Sequence, residues 1–137
     1  MQNSARSDYP GAAWLGSYRE RVNADPELAV IGRWFSVPFS ASFGEARHVI
    51  RVERGTIAEI VSAPRFDVRA AFGFRGPLEL WQRFLSPNPP PLYHDFFAML
   101  MRVPEFVIEG DTLVAMQNAR ALHRMMNIMR ENGAPDA

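Results

Sequence analysis

The spacing of hydrophobic residues divides the chain into a helical start, a β-rich middle and a largely helical end. Apolar residues recur at helical spacing from Pro10 to about Val22, which predicts a first helix. Asp25-Pro26 has the sequence of a second helix start, because Asp is a favoured N-cap and Pro suits the first helical position. The helical pattern ends near Gly32, so this second helix is expected to be short.

Alternation of apolar and polar residues predicts strands in the middle of the chain. It is present over 39–44, around 50–53 and over 56–61, with Arg54-Gly55 as the turn of a hairpin. The clearest alternation lies between residues 66 and 74 and predicts a strand with one buried face, typical of an antiparallel sheet covered on one side. The apolar face of that strand comprises Phe66, Val68, Ala70, Phe72 and Phe74.

Helical patterns return after Gly76-Pro77. A short helix through Trp81 is predicted, then a proline-rich loop at 86–91, and then a second short helix, 92–102, that is apolar on all sides. A last short strand is expected at 106–109, followed by one long helix over about 112–132. The apolar face of that helix comprises Val114, Ala115, Ala119, Leu122, Met125, Met126 and Met129, with Asn118 as the odd polar residue.

This order of elements predicts one α+β domain. We expect a mostly antiparallel sheet of about five strands, covered on one face by helices, with a helix at both ends. The domain spans 10–133, between a frayed N-terminus at 1–9 and a C-terminal tail at 134–137.

Composition excludes several kinds of chemistry. The chain has no Cys and its 15 basic residues are all Arg, which removes thiol nucleophiles, disulfides and Lys Schiff bases. The 15 acidic residues balance the basic ones, so no net charge attracts nucleic acid or an anionic membrane, and we expect no stable association with either. With no targeting segment and no apolar run long enough for a membrane span, a cytoplasmic protein is expected.

The stretch from about 39 to 129 resembles the sterol carrier protein 2-like domain family. The features that match are the Gly55 hairpin, the alternating strand at 66–74, the tryptophan-bearing helix and, above all, the closing segment Phe106-Val107-Ile108-Glu109-Gly110-Asp111 before the last helix. The resemblance implies a hydrophobic tunnel between the sheet and the last helices that holds an acyl chain, a sterol or a fatty acyl-CoA. It implies no catalysis and no cofactor.

The aromatic face of the sheet and the methionine-rich face of the final helix identify candidate wall residues for such a tunnel. Met is flexible and suits binding surfaces that accept several partners. Ordinary core packing is the expectation that the pattern favours for the same side chains, and Trp81 in particular fits a core anchor whose indole N–H reaches a carbonyl. The predicted ligand-binding residues are Phe72, Phe74, Trp81, Phe84, Phe96, Leu100, Met125, Met126 and Met129.

Two other functions stay open from the sequence. A small isomerase or cyclase with an apolar pocket would need a polar catalytic residue, for which Asp67, Asn118 and His94 are the candidates. A homo-oligomeric interaction module, including a homodimer, would use an exposed patch of Phe96, Phe97 and Met101 or the methionine-rich face.

Charged residues add one further candidate. Arg120 and Arg124 lie one turn apart on the polar side of the final helix, which predicts either an ordinary solvated face, the interpretation we favour, or a pair that holds a carboxylate or phosphate head group. The three histidines form no i, i+4 pair, and no metal site is expected.

Overall fold

The structure, a computed structural model, describes residues 9–65 and 67–134. Within these residues the helices and strands follow one another in an α+β order. Their bounds are α1 Ala12–Asn23, α2 Pro26–Ile31, β1 Pro38–Phe43, β2 Ala46–Glu53, β3 Thr56–Ser62, β4 Phe72–Gly76, α3 Leu78–Phe84, α4 Phe96–Arg102, β5 Val107–Gly110, α5 Thr112–Gln117 and α6 Ala119–Glu131.

The strands form a mixed sheet in the order β3-β2-β1-β4-β5. The pairs β1/β2, β2/β3 and β4/β5 are antiparallel, whereas β1 and β4 are parallel, with Phe39 opposite Phe72 and Ala41 opposite Phe74. The predicted fold class is confirmed: a mostly antiparallel five-stranded sheet with helices at both ends of the chain.

Local sequence signals explain two boundaries in the first half of the chain. The Asp25 carboxylate accepts a hydrogen bond from the backbone N–H of Leu28 at 2.9 Å, so Asp25 is the N-cap of α2, as predicted. Arg54 and Gly55 both have positive φ, 52° and 79°, which is the backbone of the tight hairpin turn between β2 and β3.

The strand predicted over 66–74 is shorter than expected. Only the residues from Phe72 onward are in β4, Val68 and Ala70 lie in the loop before it, and Phe66 lies outside the described residues. The two neighbours of β4 end close to Phe72, because β1 begins at Pro38, one residue before the partner of Phe72, and β5 ends opposite Phe72. The alternation marked the buried face, but the length of the partner strands set the length of β4.

The helix predicted over 92–102 also begins later, at Phe96. Asp95 is its N-cap and accepts hydrogen bonds from the backbone N–H groups of Phe97 and Ala98 at 2.9 and 3.1 Å. Leu92 has a φ of 79°, a left-handed conformation that a helix interior excludes. The segment is therefore a loop joined to a short, capped helix.

The single helix predicted over 112–132 is divided at Asn118. The side-chain N–H of Asn118 donates to the Val114 carbonyl at 2.9 Å, and its backbone, with φ −114° and ψ 26°, leaves the helical region. The polar residue that interrupted the apolar face thus marks the junction between α5 and α6.

Candidate ligand-binding site

An apolar layer fills the space between the sheet and helices α3, α4 and α6. Its centre is a set of aromatic rings in edge or stacked contact. The distances between ring centroids are 4.7 Å for Phe74 and Phe96, 5.4 Å for Phe96 and Phe106, and 5.6 Å for Phe39 and Phe72. Met125, Met126 and Met129 of α6 are fully buried in the same core cluster. We call this set the aromatic–methionine layer.

Six of the nine predicted ligand-binding residues are in this layer, Trp81 and Phe84 belong to the same buried core cluster, and Leu100 packs against it. Eight of the nine are at most 2% exposed, and Leu100 of α4 is half-buried against the same core. The groove described below is lined by other residues. Eight of the nine side chains are thus packed against other protein side chains in this structure. This agrees with the expectation that they form an ordinary core.

Buried polar atoms in and around the layer are mostly paired. The Trp81 indole N–H donates to the Ser42 carbonyl at 2.8 Å, as predicted for a core anchor, and the Tyr18 hydroxyl donates to the Met125 carbonyl at 3.0 Å. The Tyr9 hydroxyl is buried without a hydrogen-bond partner among the described residues. Burial raises the pKa of Tyr9 to about 12 and that of Tyr18 above its usual value as well.

A groove of about 530 Å³ runs along the outer side of α6, between α2 and α4. This volume falls within the range of small-molecule sites. Its lining combines apolar and charged side chains: Glu27 and Ile31 of α2, Phe97 of α4, and Ala119, Arg120, His123, Arg124 and Asn127 of α6. We call it the α6 groove.

An ion pair between Arg124 and Asp25 holds α2 against α6 and so builds one wall of the groove. The Arg124 guanidinium donates two hydrogen bonds to the Asp25 carboxylate, at 2.6 and 3.1 Å, and also lies 3.5 Å from carboxylate oxygens of Glu27 and Glu131. The hydrogen bond from Arg124 lowers the pKa of Asp25, and the same bond raises the pKa of Arg124. Arg124 is therefore already neutralised by protein carboxylates.

Three polar side chains of the groove take part in no hydrogen bond or ion pair with the described residues. Arg120, His123 and Asn127 make no hydrogen bond or ion pair with their side chains to other described residues, although the His123 ring stacks on Phe97, with centroids 6.1 Å apart. The sequence spacing predicted that Arg120 and Arg124 share one face of the helix. It did not predict that this face lies against Ile31 and Asp25, because Asp25 precedes Arg124 by 99 residues.

Arg130 has a structural role at the far end of α6. Its guanidinium donates to the carbonyls of Phe84 and Tyr93 at 2.6 and 2.8 Å and lies over the Phe84 ring at 4.4 Å. Burial lowers the pKa of this guanidinium. Arg130 thereby ties the end of α3 and the loop between α3 and α4 to α6.

The residues considered for the other two functions are dispersed. Asp67 and His94 are exposed in separate loops, and the Asn118 amide is used at the α5–α6 junction. Of the proposed patch of Phe96, Phe97 and Met101, Phe96 is buried in the core and Met101 is 83% exposed. Phe96 is therefore unavailable to an exposed interface in this structure.

Residues 9–65 and 67–134 contain no group of three or more His, Asp or Glu side chains arranged to hold a metal ion. None of the helices within these ranges has the length and apolar character of a transmembrane span.

These elements define a single α+β domain. Its mixed sheet is covered by helices, with the aromatic–methionine layer between them. The structure is similar to a crystal structure of sterol carrier protein 2, with a TM-score of 0.72 and 16% identity, over 90% of this chain and 98% of that one. It is also similar to the solution structure of a conserved hypothetical protein of Thermus thermophilus, possibly a sterol carrier protein, with a TM-score of 0.69 and 16% identity, over 91% and 90% of the two chains.

A third similar structure is a UbiJ-SCP2 ubiquinone synthesis protein, with a TM-score of 0.53 and 9% identity, over 81% of this chain and 87% of that one. No family model and no curated protein sequence matches the chain. The chain has the sterol carrier protein 2 fold, and the resemblance seen in its sequence is confirmed at the level of the fold.

Proposed function

We propose that the protein binds an apolar or acyl ligand, such as a lipid, a sterol or a fatty acyl-CoA, and releases it chemically unchanged. The observation that carries the proposal is the aromatic–methionine layer, which lies between the sheet and the helices of a fold also found in a sterol carrier protein. Its apolar and flexible side chains offer a binding environment for an acyl chain, at about 0.8 kcal/mol for each buried methylene.

The ligand occupies a hydrophobic tunnel that opens within this layer. The nine predicted residues form its wall: Phe72, Phe74, Trp81, Phe84, Phe96, Leu100, Met125, Met126 and Met129. Because eight of them are closed to solvent in this structure, binding requires a helix to move away from the sheet. Helix α4 is the element suited to this movement, since it has only seven residues and the half-buried side chains of Phe97 and Leu100 lie at its surface.

A titration with a fluorescent fatty acid tests the proposal. The natural sequence should bind the probe saturably with a Kd below roughly 50 µM, which corresponds to about 6 kcal/mol. Leu100→Ala removes a wall side chain without opening the buried centre and should weaken binding about fivefold, or about 1 kcal/mol. Met101→Ala is the matched control, because Met101 lies on the same helix and points to solvent.

Two results would count against the proposal. Absence of saturable binding at that concentration removes the carrier function. Recovery of a chemically altered probe after incubation, by mass spectrometry, removes the non-catalytic part and returns attention to Asp67, Asn118 and His94.

A further inference from the structure

We infer that the α6 groove is the head-group site of this ligand, and that the head group is a carboxylate on an acyl chain. The inference rests on the proposed function and specifies the class of ligand. It is carried by Arg120, a cation with no ion-pair partner among residues 9–65 and 67–134, which lines the same groove as the apolar side chains of Phe97 and Ile31.

Helix α6 has two chemically different faces. Met125, Met126 and Met129 pack into the core, whereas Arg120, His123, Arg124 and Asn127 line the groove. These four positions follow one another at intervals of three, one and three residues, so they lie along one side of the helix. A ligand in the groove therefore meets several hydrogen-bonding side chains in a row.

Arg120 is the cation on this side of the helix that is free to bind an anion. The carboxylates near the groove face Arg124 instead, at 2.6 Å for Asp25 and 3.5 Å for Glu27 and Glu131. Arg120 has no such partner among the described residues. A guanidinium presents a planar pair of N–H donors that matches a carboxylate, and both His123 and Asn127 are able to add a donor.

The apolar part of the groove leads toward the aromatic–methionine layer. The Phe97 ring stacks on His123 on the groove side and lies 5.3 Å from Phe96, which contacts Phe74 in the layer at 4.7 Å. An acyl chain whose carboxylate is held by Arg120 can thus follow Phe97 toward the layer. This continuity is what makes an amphipathic ligand a better match than an isolated anion.

Binding of dodecanoate, dodecanol and dodecyltrimethylammonium to the natural sequence tests the assignment, because the three probes share a chain and differ in the head. Dodecanoate should bind at least tenfold more tightly than dodecanol. Arg120→Gln should reduce this preference to less than threefold. Arg102→Gln is the control, since it removes an exposed arginine from α4 that does not line the groove, and it should retain the preference.

The outcomes separate this inference from the proposed function. Equal binding of dodecanoate and dodecanol, or a preference that survives Arg120→Gln, overturns the head-group site and leaves the carrier function standing. Tightest binding of the ammonium probe overturns the site too, because Glu27 and Glu131 would then dominate the groove. Failure of all three probes to bind overturns both proposals.

Discussion

The ion pair between Asp25 and Arg124 provides the sharpest test of how α2 is held against α6. The Asp25 side chain is 8% exposed and that of Arg124 is 25% exposed, and two hydrogen bonds of 2.6 and 3.1 Å join them. Exposed ion pairs contribute about 0.2–1 kcal/mol, whereas removal of one partner from a buried pair costs about 3–5 kcal/mol. For this intermediate burial we expect a coupling energy of about 1–2 kcal/mol.

A double-mutant cycle measures that coupling. Asp25→Asn retains an N-cap residue for α2 and removes the charge, Arg124→Gln removes the cation, and the double variant completes the cycle. Unfolding in urea at neutral pH gives the four free energies. A coupling energy below about 0.3 kcal/mol would refute the view that this pair fixes the wall of the groove.

The pH dependence of stability follows from the same pair. Because Arg124 lowers the pKa of Asp25 in the folded state, the pair stabilises the protein fully above the unfolded pKa, about 3.9. That stabilisation is lost as the pH falls through the lower, folded pKa. Between the folded and the unfolded pKa of Asp25, the free energy of unfolding should fall less on acidification in Arg124→Gln than in the natural sequence.

Further predictions concern buried hydroxyl groups and glycines, and each is measured by chemical or thermal unfolding. Tyr18→Phe should lower the free energy of unfolding by about 1–2 kcal/mol because it removes the hydrogen bond that the buried hydroxyl donates to the Met125 carbonyl, whereas Tyr9→Phe should be neutral or stabilising because its hydroxyl has no partner among the described residues. A larger loss for Tyr9→Phe than for Tyr18→Phe would contradict this assignment. Gly110→Ala should destabilise the fold by more than about 1 kcal/mol, since φ is +85° and the new Cβ would lie 2.7 Å from a backbone oxygen. Gly16→Ala, in open space on α1, should instead stabilise it by about 0.5–1 kcal/mol; equal effects of the two would refute the argument.

The elements that were predicted correctly are those whose signals are local. The Asp25 cap acts on a backbone N–H three residues away, and the Arg54-Gly55 turn needs only two residues of positive φ. Met125, Met126 and Met129 of α6 are buried as the helical period predicts. The predicted face missed Ala121 and Ile128, which are also buried, and included Ala119, which lines the α6 groove.

Two features that the sequence did not predict depend on distant parts of the chain. The start of β4 depends on the ends of β1 and β5, which alternation within 66–74 does not encode. The α6 groove depends on α2, whose Asp25 precedes Arg124 by 99 residues. Sequence spacing identified the arginines of the groove, but the pairing that neutralises Arg124 and leaves Arg120 unpaired among the described residues is a property of the fold.

The most direct test of the account is methyl NMR of protein labelled with ¹³C at its methionine methyl groups during titration with dodecanoate. A ligand that enters the tunnel should shift the resonances of Met125, Met126 and Met129, which are buried in the layer, more than that of Met101, which faces solvent. If saturating dodecanoate leaves the three buried methyl resonances unchanged, no acyl chain enters the space between sheet and helices, and the proposed tunnel is contradicted.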